Sequence, residues 1–171
     1  MANQKPRLFV GSSVESLEIA EAILYNLEYV AEVTPWSAGI FSPSNTALDS
    51  LTTALETFDF AVFVFSPDDV LQLRNQQVSV ARDNVIFELG LFIGRLGKRR
   101  CFIVVPRNDP DLHLPTDLIG FTPGTYEPDR SDQNWRAALT FACIEIKAVI
   151  KELGFINRPT LPANGDQQHG N

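Results

Sequence analysis

A chain of 171 residues, with 44% hydrophobic and 20% charged side chains, can bury one substantial core and is too short for a second domain of ordinary size. Its formal charge of −7 leaves no basic footprint for nucleic acid or for an anionic membrane surface. Two cysteines without CxxC spacing give no metal-ligand pattern, and there is neither an apolar leader over Met1 to Arg7 nor an apolar run near the roughly 20 residues of a membrane helix; the expectation is a cytoplasmic protein with Cys101 and Cys143 as buried thiols.

Leu8 to Val10 is a short apolar strand that runs into Gly11-Ser12-Ser13, after which Leu17, Ala20, Leu24 and Leu27 recur at helical spacing. Val30 to Val33 suits a second strand, and Pro35 to Ser44 has the Gly and Pro content of a loop that also carries Trp36 and Phe41. Leu48, Leu51, Leu55 and Phe58 share one face of a second helix. The run Phe60 to Phe65 is so continuously apolar that it reads as a central buried strand, ended by Ser66-Pro67-Asp68-Asp69. A polar connection from Gln72 to Arg82 leads to a third helix, Asn84 to Leu96. That helix is apolar on almost every face except at Asn84, Glu88 and Arg95, which predicts that it is largely buried.

Phe102 to Val105 is a further buried strand, Asn108 to Gly120 a Pro- and Asp-rich loop, and Phe121 to Tyr126 a weak edge strand. Trp135, Leu139, Ala142, Ile146, Val149 and Leu153 form a sustained helical stripe, and Gly154 stands where a helix stop belongs. Residues 1–155 therefore make one domain, and residues 156–171, rich in Pro, Gly, Gln and Asn, read as a tail or linker with little to bury. Strands alternating with helices imply βαβ units, a parallel sheet with helices on both faces, and a ligand site at the carboxyl ends of the strands. The segments at Gly11, Trp36, Ser66 and Arg82 belong to that edge.

Glu88 is the first candidate for chemistry, because an ionisable side chain amid Val85-Ile-Phe and Leu89-Gly-Leu-Phe-Ile93 has to be solvated, paired or used. Its spacing with Asn84 and Arg95 also allows a plain polar stripe facing water. The Gly11-Ser12-Ser13 turn suits a phosphate at a helix N-terminus, or only a tight turn with a Ser cap. Trp36 and Phe41 suit stacking on an adenine or nicotinamide ring, or closing their loop onto the core. Asp83 and Asn84 are N-caps by residue type, and Arg82 has the charge to meet a phosphate or to orient Glu88. Ser12, Ser13 and Ser66 lack a His/Asp relay, and neither His113 nor His169 has partners that suggest catalysis.

The block Ala81-Arg-Asp-Asn-Val-Ile-Phe-Glu-Leu-Gly-Leu-Phe-Ile-Gly-Arg-Leu-Gly97, followed by Cys101-Phe-Ile-Val-Val-Pro106, resembles the bacterial TIR-like family described as predicted nucleotide-binding proteins. Leu8-Phe-Val-Gly-Ser-Ser13, Glu32-Val-Thr-Pro-Trp36, Phe58-Asp-Phe-Ala-Val-Phe-Val64 and Leu114-Pro-Thr-Asp-Leu-Ile-Gly120 resemble its other blocks in the same order. The resemblance implies a three-layer, flavodoxin-like TIR fold with a mostly parallel five-stranded sheet. It further implies NAD hydrolysis with release of nicotinamide, as in members attached to anti-phage systems, with NAD as substrate and no cofactor or metal.

On that resemblance the essential carboxylate maps onto Glu88 and the Gly11 turn lies beside the nucleotide; Gly11, Ser12, Ser13, Trp36, Phe41, Arg82, Asp83 and Asn84 are the candidate substrate-binding residues. The Trp36 to Ser44 loop corresponds to the segment that rearranges when such domains assemble through TIR to TIR contacts, often under a cyclic-nucleotide sensor. One departure stands out: many animal and plant TIR enzymes carry Trp four residues before the Glu, where this chain has Asn84, leaving Trp36 as the aromatic candidate. Two other readings compete: an adaptor acting only through TIR to TIR contacts, and a nucleoside deoxyribosyltransferase-like enzyme, which also places Glu in a Phe-Glu-Leu-Gly context.

Overall fold

A computed structural model of the chain describes residues 4–38, 46–73, 76–109, 112–118 and 120–156. Five strands, β1 (Arg7–Gly11), β2 (Glu32–Pro35), β3 (Phe60–Val64), β6 (Cys101–Pro106) and β8 (Gly124–Tyr126), form one sheet in the order β2-β1-β3-β6-β8. Every pairing in it is parallel. The reversal of strand order at β1 and β3 makes this a doubly wound sheet, as the alternation of elements predicts.

The pleat sorts the core into two layers. Leu8, Val10, Phe60, Val62 and Val64 face α1 (Leu17–Leu27) and α4 (Trp135–Leu153), whereas Phe9, Ala61, Phe63 and Phe65 face α2 (Ala47–Leu55) and α3 (Asp83–Leu96). Because both faces are covered, β3 is buried at every position, which is why it reads as an unbroken apolar run instead of an alternating one. In the second layer, the Phe9 and Phe92 rings stack at 4.7 Å between centroids, and Phe58 and Phe63 pack against both. Glycine has a specific job at two points. A Cβ on Gly11 would come within 2.6 Å of the Phe63 ring, and Gly154 takes φ of 54° to end α4, as its position in the sequence suggests.

Three expectations need correction. The polar connection is a β-hairpin: β4 (Asp69–Leu73) and β5 (Gln76–Val80) pair antiparallel, and β5 pairs with the short β7 (Leu112–His113) in a second, three-stranded sheet. Val78 and Val80 alternate with Gln77 and Ser79, a period-two signal diluted by the polar composition around it. Helix α3 is not buried all round; it seats one stripe, Val85, Leu89, Phe92 and Leu96, on the sheet and leaves Phe87 55% exposed. Strand β2 begins at Glu32, because the amides of Val30 and Ala31 bond back to the Leu27 carbonyl at the end of α1.

At the amino-terminal edge of the large sheet the polar groups are tied together. Asp59, 2% exposed, accepts hydrogen bonds from the amides of Arg7 and Ile156 at 2.9 and 3.0 Å. The Arg100 guanidinium lies 4.7 Å from the centre of the Phe60 ring and donates to the carbonyls of Leu153, Gly154 and Phe155, closing the end of α4. Ile156 packs against the second core layer; residues 157–171 lie outside the described residues.

Candidate functional site

The opposite, carboxyl-terminal edge opens into a cleft of about 390 Å³. The turn after β1 contributes Ser12 and Ser13, the residue after β2 is Trp36, and the first turns of α3 contribute Arg82, Asn84 and Glu88. Parallel strands deliver all these segments to one edge, so residues far apart in sequence converge there by topology. Val14, Leu48 and Phe87, exposed by 67%, 53% and 55%, give the cleft an apolar rim that the sequence reading did not single out.

Glu88 stands in the cleft wall, half-buried, with neither a hydrogen bond nor an ion pair to any of the described residues. Burial pushes its carboxyl up to about 7, because the charged form loses solvation with no cation to compensate. This is no solvated stripe. Arg95, one member of that supposed stripe, instead bonds Glu56 at the C-cap of α2 through both Nε and Nη2 at 3.0 and 2.8 Å.

Trp36 is fixed from two sides. Its indole packs against the second core layer, and its Nε1 donates to Ser12 Oγ at 2.9 Å, so the ring both closes the loop and forms part of the wall. Ser12 and Ser13 are buried. Ser13 Oγ makes no hydrogen bond of good geometry, although it lies near enough to Glu15 and Asp68 to favour their charged forms. Burial outweighs this at Asp68, whose carboxyl is raised; at Glu15 a backbone hydrogen bond holds the carboxyl low, with Arg82 assisting.

Arg82 Nη2 donates to Glu15 Oε1 at 2.9 Å, and its Nε lies 3.4 Å from Asp69 Oδ2 without a hydrogen bond of good geometry. These carboxylates, 67 and 13 residues away, were missed because no local pattern joins them to Arg82. Three details depart from the sequence reading. The N-cap of α3 is Arg82 itself, with no side-chain cap bond, while the Asp83 carboxylate accepts from the Asn84 amide and does not line the cleft. Gly11 is not among the residues lining the cleft; a Cβ there would meet the Phe63 ring. The Ser of the first turn does not cap α1 either: Ser16 occupies the N-cap, and its hydroxyl pairs with that of Ser66. Phe41 lies outside the described residues.

A more open groove of about 720 Å³ runs between α1 and the start of α4, but its Glu18 is exposed and already accepts from Trp135 Nε1 at 2.9 Å. Size alone favours that groove. The smaller cleft is the better site because it holds a desolvated, unpaired carboxylate beside buried hydroxyls. Among the described residues, no three His, Cys, Asp or Glu side chains gather as a metal site, and no helix is long and apolar enough to cross a membrane.

Residues 7–128 match the family model described as the CAP12/Pycsar effector protein TIR domain. The chain belongs to this family. The TIR domain is 42% identical over 154 residues to the Pycsar effector protein PaPycTIR of Pseudomonas aeruginosa, an overlap of 90% of this chain and 50% of that one. The related XpPycTIR of Xanthomonas perforans is 39% identical over 154 residues, covering 88% and 50% of the two chains. CD-NTase-associated protein 12 of Flavobacterium daejeonense is 42% identical over 123 residues, covering 72% and 39%. The chain thus spans about half the length, or less, of these relatives. Family and sheet topology agree with the resemblance read from the sequence blocks.

Proposed function

We propose that this TIR domain hydrolyses NAD at the bond between nicotinamide and ribose, with Glu88 as the catalytic carboxylate. The observation that carries the reading is the position of Glu88: a carboxylate without a partner among the described residues, desolvated, in the wall of a cleft at the ligand edge of a doubly wound sheet. Nicotinamide leaves as a neutral ring from a cationic pyridinium, so the leaving group needs no acid. The difficulty is the positive charge that develops on the ribose, and a carboxylate in a water-poor wall stabilises that charge far better than one in bulk water. The approach of the cationic nicotinamide riboside restores to Glu88 a counter-charge and draws its pKa down into the ionised range. Water then completes the hydrolysis to ADP-ribose, or the adenine attacks to give a cyclic variant.

The names of the relatives support an effector role; to it we add an anti-phage function in which self-association switches the domain on under a cyclic-nucleotide-sensing unit. Nicotinamide release from NAD, measured against protein concentration, tests the reading. The expected result is activity rising more steeply than linearly with concentration, and kcat/KM rising with pH to half its plateau near pH 7, where Glu88 ionises in the free protein. Base exchange on a deoxynucleoside with no nicotinamide release would favour the transferase reading; neither reaction, in the face of intact self-association, would favour the adaptor.

A further inference from the structure

Helix α4 carries two apolar stripes. The inner one, Ala138, Leu139, Ala142, Cys143, Ile146 and Ile150, is buried, and most of it joins the core layer shared with α1 and the sheet. The outer one, Ala137, Phe141, Ile144 and Ala148, is exposed at every position, Phe141 by 65% and Ile144 by 52%. Its members follow at i, i+4, i+7 and i+11, the spacing of a coiled-coil seam. Beside Phe141 the apolar surface continues into a hollow of about 430 Å³ between α4 and β8, which Phe102, Pro123 and Val149 help to line. A helix that already buries one face and repeats the pattern on its solvent side has a second surface to cover.

The charges flanking the outer stripe indicate what covers it. Glu145 and Glu152 stand on one side of the stripe, Lys147 and Lys151 on the other. The two lysines are four residues apart and repel, so this arrangement does nothing for the helix by itself. Glu145, Lys147 and Lys151 make no ion pair with any of the described residues, and Arg99 meets Glu152 at Oε1 in an exposed pair. A two-fold axis running along a pair of α4 helices sets the acidic side of each against the basic side of the other. An axis across the pair would set like against like.

We infer that the outer stripe of α4 docks a second copy of this chain, with the two α4 helices parallel and in register. Phe141 and Ile144 then meet their own counterparts, and Lys147 reaches Glu152 of the partner subunit. The Glu88 cleft is walled by α2, α3 and the turns after β1 and β2, so this contact leaves both clefts open, and the inference stands whether or not Glu88 is catalytic. One helix pair is a small interface, and the dimer it holds is weak.

Sedimentation velocity from micromolar to millimolar protein is expected to show an equilibrium of monomer and dimer. Phe141→Glu, a change at an exposed position, should abolish the dimer and leave the thermal melt in place; Ile144→Lys serves the same purpose if that variant fails to fold. Lys147→Glu should weaken the dimer about tenfold, and Lys147→Glu combined with Glu152→Lys should restore it to within about twofold, because the pair is rebuilt with its signs exchanged. Ile144→Cys reports the orientation: in a parallel pair the new thiol meets its own copy, so mild oxidation should give a dimer on a non-reducing gel, with Cys101 and Cys143 too buried to compete.

A chain that stays monomeric throughout would overturn the inference and leave the stripe to a partner of another kind. So would a dimer indifferent to both Phe141→Glu and Ile144→Lys, or a charge reversal that the double variant does not rescue. A dimer that never crosslinks through Ile144→Cys would overturn the parallel arrangement.

Discussion

The two ends of the parallel sheet solve opposite problems with similar residues. At the amino-terminal edge, buried Asp59 takes hydrogen bonds from two backbone amides and Arg100 gathers four carbonyls, so charge is spent on closing the chain around the core. At the carboxyl-terminal edge, Glu88 is desolvated without a partner among the described residues, and Ser13 and Arg82 each leave a polar atom without a hydrogen bond to them. Buried charge is tolerable when it is hydrogen-bonded and costly when it is not. The difference separates an end whose buried polar groups are paired from one where the Glu88 carboxylate has no partner among the described residues.

The largest blow should come from the satisfied end. Asp59→Ala strips two part-buried amides of their acceptor and leaves a cavity beneath them, and should lower unfolding free energy by about 3 kcal/mol in urea titration. A change under 1 kcal/mol would erase the contrast between the ends. Gly11→Ala tests a residue at the functional edge whose role is packing: the added methyl meets the Phe63 ring and should cost about 2 kcal/mol of stability. Trp36→Phe removes the donor to Ser12 Oγ and should cost about 1 kcal/mol, leaving a second serine hydroxyl of the cleft wall short of a partner. Glu152→Gln, which breaks the exposed pair with Arg99, should stay within about 0.5 kcal/mol by the same titration.

The core was the more legible part of the fold. Phe60 to Phe65 and the stripe from Trp135 to Leu153 announce their burial by continuity and by period, and the parallel five-stranded sheet follows from the alternation of elements. The hairpin at Asp69 to Val80 was not legible, because polar residues mask its two-residue period and its partner β7 is two residues long. Glu88 was visible as a charge out of place on an apolar helix. Its desolvation was not, since that depends on how α3 sits against Ser13 and Trp36. The pairing of Arg82 with Glu15 spans 67 residues, and the clash that makes Gly11 necessary comes from Phe63; contacts of that range exist only once the chain is folded.

Glu88→Gln joins the contrast to the chemistry, and one paired experiment on it is the most direct test. The folded-state pKa of Glu88 is raised, so its contribution to stability is complete below about pH 4.5 and is lost as pH rises through about 7. Gln carries no charge to desolvate: the variant should match the parent at pH 4 and be more stable by about 2 kcal/mol at pH 9. In the same preparations, nicotinamide release from NAD should fall by at least about 100-fold. A protein made more stable and inactive by that substitution is the expected result. A variant that loses stability at pH 9, or that still releases nicotinamide at the parent rate, would contradict the assignment of Glu88 as the desolvated catalytic carboxylate.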